Sequence, residues 1–395
     1  MEVWTHWVDA ERACALLGVK RRTLYSYVSQ GKIRSAPGAE PSAKRYAVDD
    51  LMHLRDRARA RSGHGPVAAA ALDWGEPVLS TAICAIDEGG PRYRGSSALE
   101  LAGADVAFEA VVGLLVEGEL GARVWEPGGL PALAWPREGE MLPRFLARWA
   151  VWRAGQTRRR SLLLPPQEVI GPAVALFADD PAAVPATGPV AERLAVALGL
   201  PGTAGVHRAL NRALVLCAEH ELNASTFAAR VAASTAAEPF AVLLAALSTH
   251  SGARHGGAAR GVDAFLAATT VERAELSIRA WARRGEMSSL PGFGHRLYAA
   301  GDPRGAALLQ EAERLAPAAE PVRRAFAVSA AAQALGYEPP NLDFGLWALA
   351  QASGGDGVTA QAVFTLARMA GWLAHAREQA QDPRLLRPRA RYVGP

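Results

Sequence analysis

Long runs of alanine and leucine, broken by glycine or proline, occupy most of the chain after residue 105. Examples are VAFEAVVGLLVEGEL (106–120), FAVLLAALSTHSG (240–252) and VFTLARMAGWLAHAREQ (363–379). Their apolar residues recur at the three- and four-residue spacing of a helix face, and the small alanine side chain allows neighbouring helices to approach closely. These runs predict a body that is almost entirely α-helical.

The composition is typical of a globular protein with a large core. Half of the 395 residues are apolar, and no apolar run approaches the roughly 20 residues that cross a bilayer. The first residues lack the basic-then-apolar pattern of a signal peptide. Cys14, Cys84 and Cys217 are far apart and form no CxxC pair, which favours buried thiols over disulfides or a thiolate metal site. We therefore expect a cytoplasmic protein with no membrane partner and no bound metal.

Positive charge is concentrated at the N-terminus. Residues 1–65 hold 12 lysines and arginines against 7 aspartates and glutamates, whereas the remainder holds 31 basic and 32 acidic residues. Such asymmetry suggests that the N-terminal segment meets an anionic polymer.

Two short helices with a tight turn between them are predicted in this basic segment. Asp9 can cap a first helix that Gly18 ends, and a second helix covers about residues 21–30. A loop with short extended pieces follows. Asp49 or Asp50 then opens a third helix.

The run LLGVKRRTLYSYVSQGKIR (16–34), followed by KRYAVDDLMHL (44–54), resembles the winged helix-turn-helix of MerR-type regulators and excisionases. The resemblance implies a small domain at residues 1–62, followed by a linker at 63–75. In such modules the second helix enters the major groove of DNA and the wing contacts the backbone. The implied DNA contacts are Lys20, Arg21, Arg22, Thr23, Tyr25, Tyr27, Lys44 and Arg45. A solvated basic face, or a module that contacts another protein, would carry the same charges.

The polar residues that can carry chemistry in the body lie at breaks between the apolar runs. Before the runs begin, VLSTAICAIDEGGPRYRG (78–95) alternates like two strands about an EGG turn. The breaks themselves hold His220, His255, His295 and Asp343, and glycines beside a histidine let a ligand approach backbone and ring together. Singly, each has a plain structural explanation, such as a hydrogen-bonded histidine or a helix cap.

Taken in order, these motifs resemble those of the citrate synthase family. HELNASTFAARVAAST, RHGGA, PGFGHRLY followed by DPR, PNLDF, and GWLAHAREQ leading to RPRARYVG match one after another, and PRYRGSSALELA matches the family's N-terminal hairpin. The resemblance covers about residues 76–395. It implies an all-α fold with a large and a small domain, the small one at about 258–350.

The resemblance implies the condensation of acetyl-CoA with oxaloacetate, followed by hydrolysis of the citryl thioester, without metal or tightly bound cofactor. Because a thioester methyl group is a very weak acid, a carboxylate base must act while a hydrogen-bond donor stabilises the enolate. By resemblance Asp343 is the base and His255 the donor. His295 polarises the oxaloacetate carbonyl and protonates the new alkoxide.

The two carboxylates of oxaloacetate need fixed cations, for which guanidinium groups are well suited. By motif match these are Arg304, Arg368 and Arg387, with His220 as a further donor. In the family the last arginine reaches into the neighbouring subunit's site. A homodimer with a shared active site is therefore implied.

The implied contacts to acyl-CoA are Gly292, Phe293, Gly294 and Arg296, where the GFG turn would let adenine lie against the backbone. The chain departs from the family at two positions. Ala259 replaces the usual asparagine after HGGA, and Ala299 replaces a cation that meets a CoA phosphate, for which Arg296 is the candidate substitute. The stretch between PPQEVIGP and CAEHELN is also shorter than is usual.

Two alternatives stay open. The acyl donor could be propionyl-CoA, giving 2-methylcitrate, because one methylene is worth only about 1–3 kcal/mol in a pocket. The protein could also be a DNA-binding regulator whose synthase-like body senses a tricarboxylate or a CoA ester. A dimer would display two recognition helices, and catalysis and regulation are compatible.

Overall fold

The computed structural model describes residues 7–37, 44–48, 50–51, 54, 79–121, 125, 129–155, 165–283, 290–298 and 300–388. The chain divides into two compact units, Met1–Ser80 and Thr81–Pro395. The predicted linker at 63–75 lies outside the described residues, and the predicted domain bounds stay predictions.

The described part of the N-terminal unit contains helices and a small antiparallel sheet. Its elements are β1 (Trp7–Val8), α1 (Ala10–Leu17), α2 (Arg21–Ser29), β2 (Ser35–Pro37) and β3 (Lys44–Ala47). The strand order is β1-β3-β2. Among the described residues of this unit, a buried apolar cluster is formed by Ala13, Leu24, Ile33, Tyr46 and Leu51.

The bounds of α1 follow from its capping residues. The Asp9 side chain accepts the N–H of Arg12 at 2.8 Å, and Gly18 ends α1 in the left-handed conformation, with φ of 66°. Both predicted helices are confirmed. Of the predicted third helix, residues 48, 50, 51 and 54 are helical and the rest lies outside the described residues.

The second unit opens with a hairpin. Strands β4 (Cys84–Asp87) and β5 (Gly90–Tyr93) pair antiparallel with Cys84 opposite Tyr93, and β6 (Ser96–Ser97) pairs with β5. The predicted hairpin about the EGG turn is confirmed.

Helices make up most of the remaining described residues, as the apolar runs predict. They are α3 (Ala98–Gly103), α4 (Phe108–Glu117), α5 (Met141–Ala154), α6 (Gln167–Ala173), α7 (Val190–Ala197), α8 (Ala204–Cys217), α9 (Ala224–Ser234), α10 (Pro239–His250), α11 (Ala259–Ala267), α12 (Ala274–Arg283), α13 (Pro303–Leu315), α14 (Glu320–Ala334), α15 (Leu342–Ala352) and α16 (Gly357–Ala380).

Helix α16 is the centre of this unit. It is buried along most of its length and packs against α4, α8, α9, α10 and α15. A capping box fixes its start, because Asp356 accepts the N–H of Thr359 while the Thr359 hydroxyl accepts the N–H of Asp356. Within the described ranges, no helix combines the length and hydropathy needed to cross a bilayer.

Two glycines allow α13 and α15 to pack at very short distance. A Cβ on Gly305 would lie 2.3 Å from the carbonyl oxygen of Asn341, and one on Gly345 would lie 2.5 Å from that of Gly305. The starts of the helices are also joined, since Asp302 accepts the N–H of Leu342 at 3.3 Å. The first turns of α13 and α15 are therefore held side by side.

Candidate active site

The GFG turn is joined by backbone hydrogen bonds to the residues that precede α15. Gly292 and Gly294 have φ of 81° and 75°, which favour glycine. The N–H of Gly294 donates to Pro339 at 3.0 Å, and the N–H of Asn341 donates to Gly292 at 2.8 Å. This pairing brings the segment that carries His295 beside the segment that carries Asp343.

His295 is a neutral hydrogen-bond donor. Its Nδ1 accepts the backbone N–H of Leu297 at 3.2 Å, which leaves the ring proton on Nε2. Burial, together with the charge of Arg304, lowers the pKa of His295 to about 4. At neutral pH the imidazole can therefore donate from Nε2 to a ligand.

His255 is held by Ser225 at the start of α9. The Ser225 Oγ lies 2.7 Å from His255 Nε2 and accepts the Trp372 indole N–H at 3.1 Å. Burial, and then the charge of Arg368, lowers the pKa of His255 to about 4. This second imidazole is also neutral.

The glycines after His255 are required by packing. A Cβ on Gly256 would lie 2.1 Å from His250 Nε2, and one on Gly257 would lie 2.8 Å from the carbonyl oxygen of Gly252. The HGG motif thus lets the backbone turn against α10 and the residues that follow it.

Asp343 lies in the first turn of α15. The Asn341 side chain accepts its N–H at 3.1 Å and so fixes the helix start. Its Oδ1 is buried and has no hydrogen-bond partner among the described residues. Burial raises the pKa of Asp343 to about 6, although Arg304 acts in the opposite direction. The carboxyl group is thus a base that is ionised, but weakly solvated, at neutral pH.

Arg304 is buried and partly satisfied. Its Nε and Nη2 donate to the two oxygens of Asp302 at 3.0 and 2.8 Å, and its Nη1 is buried without a partner among the described residues. Burial alone would lower the pKa of Arg304, but Asp302 reverses that effect and raises it. One edge of the guanidinium group is left for an anion.

Arg368 on α16 is also buried, with 1% of its surface exposed. Its Nε and Nη1 lack partners among the described residues, and its guanidinium carbon lies 5.2 Å from the Phe364 ring centroid. Buried charges in folded proteins are almost always paired. Arg368 therefore indicates the place of an anionic group that none of the described residues supplies.

His220 lies between α8 and α9. Its Nε2 is 2.8 Å from the Tyr298 hydroxyl, and its ring centroid is 5.2 Å from that of His295. Burial lowers the pKa of His220 well below its ordinary value, and the charges of Arg304 and Arg368 lower it further.

Charge interactions connect six groups from separate parts of the sequence. Arg368 acts on His220 and His255, and Arg304 acts on His220, His295 and Asp343. Arg387 does not join them within one chain. Arg387 is exposed, and the backbone N–H of its neighbour Leu386 donates to the Ser234 hydroxyl at the end of α9. At 1.5 Å of rise per residue, Ser234 lies about 14 Å along α9 from Ser225.

The predicted acyl-CoA contacts have different environments. Phe293 is buried with its ring 4.9 Å from that of Phe344, whereas Arg296 is exposed. Ala259 begins α11 and is buried. Ala299 lies outside the described residues.

Sequence reasoning missed Ser225, Tyr298 and Asp302, although all three lie within the quoted motifs. Spacing from the proposed site residues could have found two of them, because Asp302 precedes Arg304 by two residues and Tyr298 follows His295 by three. Within the described residues, no group of three or more His, Cys, Asp or Glu side chains is arranged to hold a metal ion.

The predicted DNA contacts lie mostly on the surface of the N-terminal unit. Thr23 and Tyr27 are half-buried, and the other six are exposed. A groove of about 690 Å³ is lined by α1, α2 and β3; among its lining residues are Asp9, Glu11, Arg21, Tyr25 and Lys44. Both acidic and basic side chains face this groove.

Comparison with known proteins identifies the family. Residues 158–389 match the family model "Citrate synthase, C-terminal domain". Curated relatives include citrate synthase 2 of Bacillus subtilis, 39% identical over 47% of this chain and 51% of its own, and citrate synthase of Haloferax volcanii, 38% identical over 46% and 49%. The chain thus spans about half the length of the curated relatives it matches.

Solved structures extend the similarity. The citrate synthase of Thermoplasma acidophilum, in a ternary complex with carboxymethyl coenzyme A and oxaloacetate, superposes with a TM-score of 0.70 at 27% identity, over 81% of this chain and 94% of its own. The citrate synthase of Thermotoga maritima gives 0.67 at 25% identity over the same shares. The chain belongs to the citrate synthase family.

Proposed function

We propose that residues 81–395 condense acetyl-CoA with oxaloacetate to give citrate and CoA. The observation that carries this proposal is the pair of buried guanidinium groups, Arg304 and Arg368, with unpartnered donors near neutral histidines. Two such cations fit a ligand with two carboxylates. Neutral imidazoles fit the stabilisation of developing negative charge.

In the proposed reaction Asp343 takes a proton from the methyl group of the thioester, while His255 donates a hydrogen bond to the thioester oxygen. The Ser225 hydroxyl lies 2.8 Å from Asn223 Oδ1 and 2.7 Å from His255 Nε2, and it has one proton for these two acceptors. His255 donates from Nδ1 in the arrangement in which that proton goes to Nε2. The resulting carbon nucleophile attacks the keto carbon of oxaloacetate, and His295 gives its Nε2 proton to the new alkoxide. Water then cleaves the citryl thioester, with its hydroxyl bonded to the acyl carbon and CoA leaving as the thiol. The proton taken by Asp343 balances the one given up by His295, so both groups return to their starting states.

The carboxylates of oxaloacetate would lie against Arg304, Arg368 and His220. Arg387 would be supplied by a second copy, so the functional form is a homodimer with a shared site. The exposure of Arg387 supports this assignment, as does the contact of its neighbour Leu386 with Ser234 at the far end of α9 from Ser225. Gly292, Phe293, Gly294 and Arg296 would contact acyl-CoA.

A coupled assay for thiol release tests the proposal. Wild-type protein with acetyl-CoA and oxaloacetate should release CoA, and Asp343→Asn should reduce kcat by about 10²–10⁴-fold, as expected for loss of a general base. Asp179→Asn, which removes a carboxylate that is 93% exposed, is the matched control. Release by wild type that does not exceed release by Asp343→Asn refutes the proposal.

Propionyl-CoA is the alternative acyl donor. The same assay with both thioesters compares their kcat/KM values. A ratio that favours propionyl-CoA would assign 2-methylcitrate synthesis instead.

The N-terminal unit supports a second proposed function, in which a winged helix-turn-helix binds DNA. The exposed Lys20, Arg21 and Arg22 at the start of α2 carry this proposal. Full-length protein should retard promoter fragments at low salt. Arg21→Ala with Arg22→Ala should weaken binding and reduce the salt slope by about 1 per lost phosphate contact.

Arg279→Ala is the control for the DNA experiment, because Arg279 is an exposed arginine of the second unit that pairs with Glu275. Equal binding by the double variant and the control would contradict DNA contact through α2.

A further inference from the structure

Tyr298 and His220 form a buried pair beside the proposed oxaloacetate site. Their surfaces are 4% and 7% exposed, and the Tyr298 hydroxyl lies 2.8 Å from His220 Nε2. The guanidinium carbon of Arg304 lies 5.5 Å from the centroid of the Tyr298 ring. Tyr298 therefore contacts His220 and Arg304, both of which bind oxaloacetate in the proposed function.

The direction of this hydrogen bond decides which nitrogen of His220 holds the ring proton. Neutral imidazole has one donor and one acceptor nitrogen. Burial beside two guanidinium cations keeps His220 neutral. In the part of the chain that the structure describes, the Tyr298 hydroxyl has no second hydrogen-bond partner, so its proton is satisfied only when it donates to Nε2. His220 then carries its proton on Nδ1.

We propose that Tyr298 is a positioning residue that fixes His220 in the Nδ1–H tautomer, so that His220 donates to a carboxylate of oxaloacetate. This inference rests on the proposed function. In the opposite tautomer a lone pair on Nδ1 would face the anionic ligand. The Tyr298 hydroxyl prevents that repulsion without touching the substrate.

Tyr298→Phe removes only the hydroxyl and keeps the ring that packs against Arg304. Oxaloacetate then loses part of a charge-assisted hydrogen bond from His220. We expect the KM for oxaloacetate to rise about tenfold, while kcat and the KM for acetyl-CoA stay within about twofold. An unchanged KM for oxaloacetate overturns the inference.

A double-mutant cycle separates positioning from a general structural role. In the His220→Asn variant the amide N–H stands close to the place of Nδ1–H and has no tautomer to fix. Tyr298→Phe should therefore raise the KM for oxaloacetate about tenfold when His220 is present and less than about twofold when asparagine replaces it. An equal rise in both backgrounds shows that Tyr298 does not act through His220.

Nitrogen NMR of protein labelled with [15N]histidine reads the tautomer without any turnover. Wild type should show a protonated Nδ1 and an unprotonated Nε2 for His220, assigned by loss of the signals in His220→Asn. Tyr298→Phe should shift the ring towards the other tautomer. A protonated Nε2 in wild type overturns the inference. The expected tautomer in a protein that releases no CoA contradicts only the proposed function.

Discussion

Asp302 holds Arg304 through two parallel hydrogen bonds of 3.0 and 2.8 Å, and each side chain is 2% exposed. This bidentate geometry fixes the plane of the guanidinium group. Asp302 also satisfies two of the three nitrogens of the Arg304 guanidinium group and leaves Nη1 for a ligand. Asp302 thereby neutralises a buried charge and orients it.

Arg304→Lys should therefore be far from conservative. An ammonium group cannot bond both Asp302 oxygens and a ligand carboxylate in the same plane. We expect the KM for oxaloacetate to rise about 100-fold, equivalent to about 2.7 kcal/mol. Steady-state kinetics measures this, with the exposed Arg279→Lys as control. A change below about threefold would exclude Arg304 from the oxaloacetate site.

Asp343→Asn should make the protein less active and more stable. The folded-state pKa of about 6 lies above the 3.8 of an ordinary aspartate carboxyl, so the favourable contribution of the protonated carboxyl is lost as pH rises through 6. The variant should exceed wild type in the free energy of unfolding by at most about 3 kcal/mol at pH 8 and about half of that at pH 5.

Urea unfolding at the two pH values measures this difference. Asp179→Asn should show no comparable gain, because Asp179 is exposed. If Asp343→Asn is less stable than wild type at pH 8, favourable interactions in the fold offset the cost of burying the ionised carboxylate.

The acid limb of the pH–rate profile should report the pKa of Asp343 and not the pKa values of the histidines. A general base must be deprotonated, and the pKa of Asp343 is about 6, whereas His255 and His295 have pKa values of about 4 and stay neutral. We expect kcat at saturating substrates to fall about tenfold per pH unit below 6. A profile that is flat down to pH 5 contradicts this.

The sequence predicts those parts of the fold that depend on neighbouring residues. The bounds of α1 follow from Asp9 and Gly18, and the hairpin of β4 and β5 follows from its alternation and its glycines. These features depend on local hydrogen bonds and on backbone conformations that favour glycine. They are therefore visible in one short window of sequence.

Contacts between distant helices could not be predicted in this way. The buried Glu219 and His375 lie 3.3 Å apart between α8 and α16, and Ser225 reaches His255 across the α9–α10 pair. The local sequence around either residue does not predict which distant residue it contacts. The motifs gave the chemical groups of the candidate site, whereas their hydrogen-bond partners depend on helix packing.

His250 should make the stability of the fold sensitive to acid. It is fully buried, and neither ring nitrogen has a partner among the described residues. Burial lowers its pKa well below 6.5. The unfolded chain therefore binds a proton that the folded chain rejects, and stability is lost as pH falls below 6.5.

Replacing His250 by leucine removes this dependence. Between pH 7.5 and 5.5 wild type should lose about 1.4 kcal/mol more unfolding free energy than His250→Leu. Urea unfolding measures the difference, with His207→Gln as control because His207 is only half-buried. Parallel losses in wild type and His250→Leu would mean that His250 is protonated in the folded protein or solvated by bound water.

Gly305→Ala should separate the first turns of α13 and α15. The new Cβ would lie 2.3 Å from the Asn341 carbonyl oxygen, which is backbone and cannot rotate away. Overpacking of this kind costs about 1–3 kcal/mol, and the shift would also move Asp343 relative to Arg304. We expect a lower unfolding free energy together with a loss of kcat.

Gly103→Ala is the matched control, because Gly103 lies in α3 and a Cβ there meets nothing within 4 Å. That variant should be as stable as wild type or up to about 1 kcal/mol more stable. Equal stability and activity of the two variants would show that α13 and α15 can move apart without cost to the site.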